Sequence, residues 1–170
     1  MILRPEKPED IEVIHDLTQR AFAQMSYSDG SEGAILNRLR ADGDLTLSFV
    51  AERDGLIVGH IAFSPVLVGK QLGWFGLGPV SVEPSRQRQG IARAMVEKGL
   101  SELRLKGAEG CVLIGDPKLY QLAFGVLPFE SHELHHFDWH ISKGELAIRF
   151  ESKTLIKLGV TDQHAAFSAL

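Results

Sequence analysis

Residues Gly76 to Lys106 read Gly-Leu-Gly-Pro-Val-Ser-Val-Glu-Pro-Ser-Arg-Gln-Arg-Gln-Gly-Ile-Ala-Arg-Ala-Met-Val-Glu-Lys-Gly-Leu-Ser-Glu-Leu-Arg-Leu-Lys. An apolar run ends at Val82, a polar bend spans Glu83 to Gln89, and an amphipathic run follows, which predicts a strand, a loop and a helix. A helix start leaves its first N–H groups without intrahelical partners, and its dipole attracts anions. Gly90 has no Cβ to hold a ligand off the backbone, and Ala92 keeps the next turn slim. Arg86, Arg88 and Arg93 fall within eight positions, which suits a compact polyanion such as a nucleotide pyrophosphate. The residues thus outline a phosphate cradle without saying which phosphate. A Walker loop needs Gly-x-x-x-x-Gly-Lys-Ser/Thr and a dinucleotide fold needs Gly-x-Gly-x-x-Gly, and neither pattern occurs at this bend. An ordinary capped helix start would use the same residues.

The frame around this segment is that of one domain, residues 1–170, long enough to bury a core without staples. Hydrophobic residues make up 44% and charged residues 24%, the balance of an ordinary globular protein. No apolar run approaches a membrane span, and Met-Ile-Leu-Arg-Pro-Glu-Lys at the N-terminus lacks the apolar core of a secretion signal, so a cytoplasmic protein is expected. A net charge of −4 argues against a nucleic-acid partner, which needs a basic face to displace counterions. The single cysteine, Cys111, has apolar neighbours Val112 and Leu113 and reads as a small buried residue rather than a nucleophile.

On the N-terminal side, Ile2-Leu3-Arg4 predicts a short strand. Pro8-Glu9-Asp10 opens a helix whose inward face is Ile11, Ile14, Thr18, Ala21, Phe22 and Met25. A second helix, about Ser31 to Arg40, turns Ile35, Leu36 and Leu39 inward and ends at Asp42-Gly43-Asp44. Leu45 to Glu52 and Leu56 to Val68 are strands joined by the hairpin signal Arg53-Asp54-Gly55, and Leu72 to Val82 completes a meander. Gly76, Gly78 and Pro79 weaken that last ladder and point to a bulge. Beyond the Gln89 to Leu105 helix, Gly107 is the stop and Gly110 to Ile114 the next strand; strand, helix, strand implies a parallel pair. Asp116-Pro117 opens a short helix through about Phe124, and further strands span about Leu134 to Ile141 and Glu145 to Glu151.

A metal reading of His132, His135, His136 and His140 fails on reach. In a strand, His136, Asp138 and His140 share a face, but positions two apart lie about 6.6 Å and four apart about 13 Å from one another, too far to share one zinc ion with ~2 Å bonds. No metal is expected.

The loop carries a resemblance. Val82-x-Pro84-x-Arg86-Gln87-Arg88-Gln89-Gly90-Ile91-Ala92 resembles the acetyl-coenzyme A signature of the GNAT superfamily of N-acetyltransferases, Gln/Arg-x-x-Gly-x-Gly/Ala, with Gln87 opening it. Ala62-Phe63-Ser64-Pro65-Val66, Trp74 to Val82 and Gly115-Asp116-Pro117-Lys118-Leu119-Tyr120 are similar to one branch of predicted small bacterial acetyltransferases, so the likeness spans roughly residues 1 to 130. It implies an α/β (α+β) fold: a mixed, mostly antiparallel sheet with a central splayed parallel strand pair, flanked by helices. It also implies an enzyme that moves an acetyl group from acetyl-coenzyme A to a primary amine of a small molecule or a peptide, with no metal, acting as a monomer or a homodimer.

The same resemblance assigns the site. The pyrophosphate falls to Arg88, Gln89, Gly90, Ile91, Ala92 and Arg93, and the pantetheine arm to Val80, Ser81 and Val82. The Val82 N–H is the oxyanion donor, and Tyr120 is the acid for the departing thiolate. Glu83 is a base by residue type, with bound water as the alternative; Tyr27 and Glu32 are candidates for acceptor contact. One irregularity stands out: four residues separate Tyr120 from Gly125 where the family commonly has three, and Val126 replaces a phenylalanine. Because Gly-Asp-Pro-x-Leu-Tyr matches the related branch without a gap, the extra residue belongs after Tyr120, within Gln121 to Phe124. Two rivals remain at this level, a coenzyme A-binding sensor without turnover and a partner-binding domain that has lost the ligand.

Overall fold

Along the computed structural model, which describes residues 1–26, 28–68, 71–114 and 145–149, eleven elements follow one another. They are β1 (Ile2–Pro5), a 3-10 turn (Pro8–Asp10), α1 (Ile11–Phe22), α2 (Glu32–Asp42), β2 (Leu47–Arg53), β3 (Leu56–Val68), β4 (Gln71–Val82), a second 3-10 turn (Pro84–Arg86), α3 (Ile91–Leu105), β5 (Gly110–Ile114) and β6 (Glu145–Arg149). The strands join in the order β1-β2-β3-β4-β5-β6, mostly antiparallel, with β4 and β5 parallel. That pair is what a strand–helix–strand connection imposes, because α3 carries the chain back to the starting edge. This is the mixed sheet with flanking helices that the sequence leads one to expect. Among the described residues no helix is long and apolar enough to cross a membrane. By packing the chain divides into two units, one of Met1–Ser64 and Gly78–Ser101, the other of Pro65–Leu77 and Glu102–Leu170.

In the first unit, α1 buries Ile14, Leu17, Thr18 and Ala21, a stripe at steps of three and four residues. The stripe differs from the expected one at its ends. The helix stops at Phe22, so Met25 lies beyond it and is exposed, while Leu17, one turn from Ile14, joins the core. Ile14, Leu36, Val50 and Ala62 form a fully buried cluster with Leu45 and Ile57 against it, so α1 and α2 cover one face of β2 and β3. Successive strand residues point to opposite faces, and the odd positions Gly59 and Phe63 meet α3 instead. A Cβ on Gly59 would lie 3.0 Å from Ile91 and from Met95, and one on Gly99 would enter the ring of Phe63.

The glycine at Gly99 is therefore a packing device. Alanine there recovers about 1 kcal/mol of helix propensity, but overpacking against a fully buried ring costs about 1–3 kcal/mol, and with Phe63 at 0% exposure the packing cost prevails. Gly99→Ala is expected to lower the melting temperature by several degrees; an unchanged or higher value would refute this packing.

β2 and β3 turn through Asp54 (φ 54°) and Gly55 (φ 75°), the two left-handed residues of a two-residue hairpin, with Arg53 opposite Leu56. The register slips between Ala51 and Glu52, which face Gly59 and Ile57, so Val58 is the extra residue.

In the second unit, β4 runs in step with β5 from Trp74↔Gly110 to Leu77↔Leu113, four pairs that end before Gly78 and Pro79 of the expected bulge. β5 pairs with β6 from Gly110↔Arg149 to Ile114↔Glu145. The end of α3 is closed as expected at Gly107 (φ 77°): its N–H donates to the Arg104 carbonyl at 3.0 Å and the Ala108 N–H to that of Leu103 at 3.0 Å. Cys111 is fully buried and burial pushes its thiol pKa up, so it is a core residue and not a nucleophile.

Candidate functional site

The end of β4 presents a backbone with two different sides. The Glu83 N–H donates to the Val58 carbonyl of β3 at 2.9 Å. Backbone groups alternate along an extended strand, so the N–H groups of Val80 and Val82 point away from β3. The Val82 carbonyl accepts from Gln87 Nε2 at 3.4 Å. Ser81 points inward: its hydroxyl donates to Thr18 Oγ1 at 3.0 Å, both residues being 0% exposed. Its side chain thus pins β4 to α1, and whatever lies along this strand meets backbone at Val80 and Val82.

The loop that follows is short and tightly turned. Pro84–Arg86 forms a 3-10 turn closed by the Arg86 N–H on the Glu83 carbonyl at 2.7 Å. Gln87 is extended, Arg88 is left-handed (φ 60°) and so is Gly90 (φ 78°). Residues 85–90 are all exposed, and a Cβ on Gly90 would meet nothing within 4 Å among the described residues. The Gly90 carbonyl accepts from the Ala94 N–H at 3.0 Å, which starts the α3 ladder; the N–H groups of Ile91, Ala92 and Arg93 precede it and have no carbonyl one turn back. The Gln89 to Leu105 reading starts the helix two residues early, because the left-handed Gly90 delays it to Ile91. Ile91 is 1% exposed, so its side chain serves the core and only its N–H is offered.

Arg86, Arg88 and Arg93 make the charge at this junction positive. Among the described residues Arg86 and Arg88 take part in no ion pair. Arg93 Nε reaches Glu97 at 2.8 Å in an exposed pair, of the sort that solvent screens and an anion can displace. Arg88, Gln89, Gly90, Ile91, Ala92 and Arg93 thus form one continuous stretch in which exposed backbone and two arginines stand at a helix start.

Three features of the site are not legible in the sequence. Arg20 of α1 grips Glu83 through Nε at 3.3 Å and Nη2 at 2.9 Å, both on Oε2, so Glu83 is a fixed carboxylate rather than a free turn residue. Arg53 reaches Gln89 at 2.8 Å. Glu32, at the start of α2, holds its Oε2 buried without a hydrogen-bond donor among the described residues. Tyr120, Tyr27 and the His132, His135, His136 and His140 group with Asp138 lie outside the described residues. No cluster of three metal-ligating side chains occurs among the described residues.

The most perturbed carboxylate lies elsewhere, under α2. Glu6 accepts from Arg40 and from the Ser48 hydroxyl, and His60 Nε2 lies 2.8 Å from Ser48 Oγ. Ser48 gives its own proton to Glu6, so it accepts one from His60, and Nδ1 of this fully buried ring has no partner among the described residues. Burial opposes ionisation of Glu6, but hydrogen bonds from His60, Arg40 and Ser48 outweigh it and hold the pKa down at about 2. Burial also lowers His60, against the opposing pull of Glu6.

Both folded pKa values are thus depressed, and stability that is present at neutral pH is lost on acidification. The His60 contribution fades below about pH 6.5, where the unfolded chain takes up a proton that the buried ring refuses; that of Glu6 fades between 4.5 and about 2. The urea midpoint is expected to fall steadily from pH 7 to pH 3.5, with Glu6→Gln removing the lower part of the decline. A flat profile would contradict the network.

Comparison with known proteins places this geometry. The model of the Acetyltransferase (GNAT) family matches residues 11–124. YhbS of Escherichia coli K12, named as an uncharacterized N-acetyltransferase, is 39% identical over 136 residues, covering 79% of this chain and 78% of that protein. A GNAT family acetyltransferase from Brucella melitensis, solved with acetyl-CoA, superposes with a TM-score of 0.76 at 41% identity, over 98% of this chain and 97% of that one. The Escherichia coli YhbS structure, solved with CoA, gives 0.70 at 27% identity, over 93% and 88%.

Proposed function

The chain belongs to the GNAT family of acetyltransferases, and we propose that it carries the acetyl group of acetyl-coenzyme A to the primary amine of a small molecule or peptide by direct attack. The observation that carries the cofactor assignment is the start of α3: three N–H groups without intrahelical acceptors, a left-handed Gly90 open above, and Arg88 and Arg93 beside it. The pyrophosphate takes those N–H groups and the two cations. The pantetheine arm lies along Val80-Ser81-Val82, meeting backbone on the side turned from β3, and so brings the thioester to Val82.

The reaction then has three requirements. The attacking nitrogen must be neutral, and an alkyl ammonium with a pKa near about 10.4 must first lose a proton. Glu83 follows Val82 directly, and both Arg20 contacts fall on Oε2, so Oε1 is the atom to take that proton, directly or through a water. Nitrogen attack on the carbonyl carbon makes an oxyanion, for which the Val82 N–H is a preorganised donor. Collapse breaks the C–S bond, the thiolate takes a proton from Tyr120, and the amide nitrogen sheds the extra proton it carried into the adduct, which by way of solvent returns the Tyr120 phenolate to a phenol. No acyl-enzyme forms on this path. Initial rates at varied acetyl-coenzyme A and amine should therefore give intersecting double-reciprocal lines; parallel lines would indicate an acetyl-enzyme and overturn direct attack.

A further inference from the structure

We propose that Arg53, at the end of β2, is a positioning residue for the cofactor loop, holding its phosphate-binding backbone in place through Gln89. This rests on the cofactor reading of that loop. The observation behind it is how little else restrains the loop. Residues 85–90 are exposed, Arg88 and Gly90 are both left-handed, and among the described residues the other hydrogen bonds of residues 86–90 return to the loop's own strand or helix: Arg86 to Glu83, Gln87 to Pro84 and Val82, Ala94 to Gly90. The contact from Arg53 Nη1 to Gln89 Oε1, at 2.8 Å and 36 positions apart, reaches it from a different element.

Its anchor is rigid. Arg53 pairs with Leu56 across a two-residue hairpin whose central residues, Asp54 and Gly55, both have positive φ, and β2 is bonded on both sides, to β1 and β3. A left-handed arginine is a conformation that a chain abandons unless its surroundings hold it. Gln89 is the residue between the two left-handed positions, so fixing its side chain fixes the turn that aims the N–H groups of Ile91 to Arg93. Arg53 needs no contact with the cofactor for this; its guanidinium acts through the Gln89 amide oxygen.

The test is a double-mutant cycle read by calorimetric titration with coenzyme A, with melting temperatures alongside. Arg53→Ala and Gln89→Ala are each expected to weaken binding about three- to tenfold with the melting temperature unchanged, and the double variant should be no worse than the weaker single one. Arg53→Lys, which keeps a donor on a long stem, should recover part of the affinity. Unchanged affinity in Arg53→Ala overturns the proposal, and so do additive losses, which would mean that Arg53 meets the ligand on its own account. Gly90→Glu in the same series keeps the two readings apart. If it binds normally, the cofactor loop has been misassigned; if it fails to bind while Arg53→Ala binds normally, only the positioning role falls.

Discussion

Gly90→Glu is expected to weaken coenzyme A binding by about a hundredfold or more while leaving the protein folded. Two effects of the substitution are separable. Any L-residue at φ 78° costs about 1–2 kcal/mol of backbone strain, which lowers stability modestly. The added side chain starts clear of the described residues, none of which has an atom within 4 Å of the Cβ position, and on the proposed cofactor reading it projects toward the pyrophosphate. A carboxylate there faces the pyrophosphate across the helix N-terminus and replaces attraction by repulsion. Gly90→Asn isolates the first effect, because asparagine tolerates the left-handed region and brings no charge. Its affinity should fall between those of the wild type and Gly90→Glu. Normal affinity in a folded Gly90→Glu protein would remove the cofactor from this site.

Tyr120→Phe is expected to lower turnover by about 10²- to 10⁴-fold with coenzyme A affinity nearly intact. The argument is chemical and rests on the family resemblance of Gly-Asp-Pro-x-Leu-Tyr. A thiolate whose conjugate acid has a pKa near about 8.5 leaves faster if a phenol near about 10 supplies its proton within the site. Phenylalanine keeps the ring and removes only the hydroxyl. The extra residue before Gly125 matters here, because one helical position turns a side chain by about 100°. The ungapped match of Gly-Asp-Pro-x-Leu-Tyr puts the extra residue after Tyr120 in the sequence, and on that reading the hydroxyl remains the proposed proton donor. Near-normal turnover by the variant would leave Tyr120 a packing residue under the pantetheine.

Much of this could be read from sequence because the signals are local. The β-branched and aromatic run Leu56 to Val68 and the apolar run Gly110 to Ile114 match their strands end to end, and Arg53-Asp54-Gly55 turns as its glycine demands. The start of α3 could be read as an anion site because glycine, alanine and arginine stand where a helix leaves N–H groups unpaired. What stayed hidden is long-range. Arg20 on Glu83, Ser81 on Thr18 and Arg53 on Gln89 link residues 63, 63 and 36 positions apart, and no periodicity encodes such pairs. The Glu6, Arg40, Ser48 and His60 network is hidden for the same reason: each residue taken singly reads as an ordinary surface group, and only the packing of α2 on the sheet buries them together. Met25 was misplaced because an apolar residue at helical spacing carries no information on where the helix stops.

The measurement that bears most directly on the account is release of free thiol from acetyl-coenzyme A across a panel of primary amines: polyamines, aminoglycosides, amino acid derivatives and peptide N-termini. Acetyl transfer predicts thiol release that depends on at least one amine, saturates with it, and is matched by an equal amount of acetylated amine. Coenzyme A bound with ordinary affinity, but with no amine raising thiol release above the rate in water, would contradict transfer and leave a protein that binds the cofactor without using it.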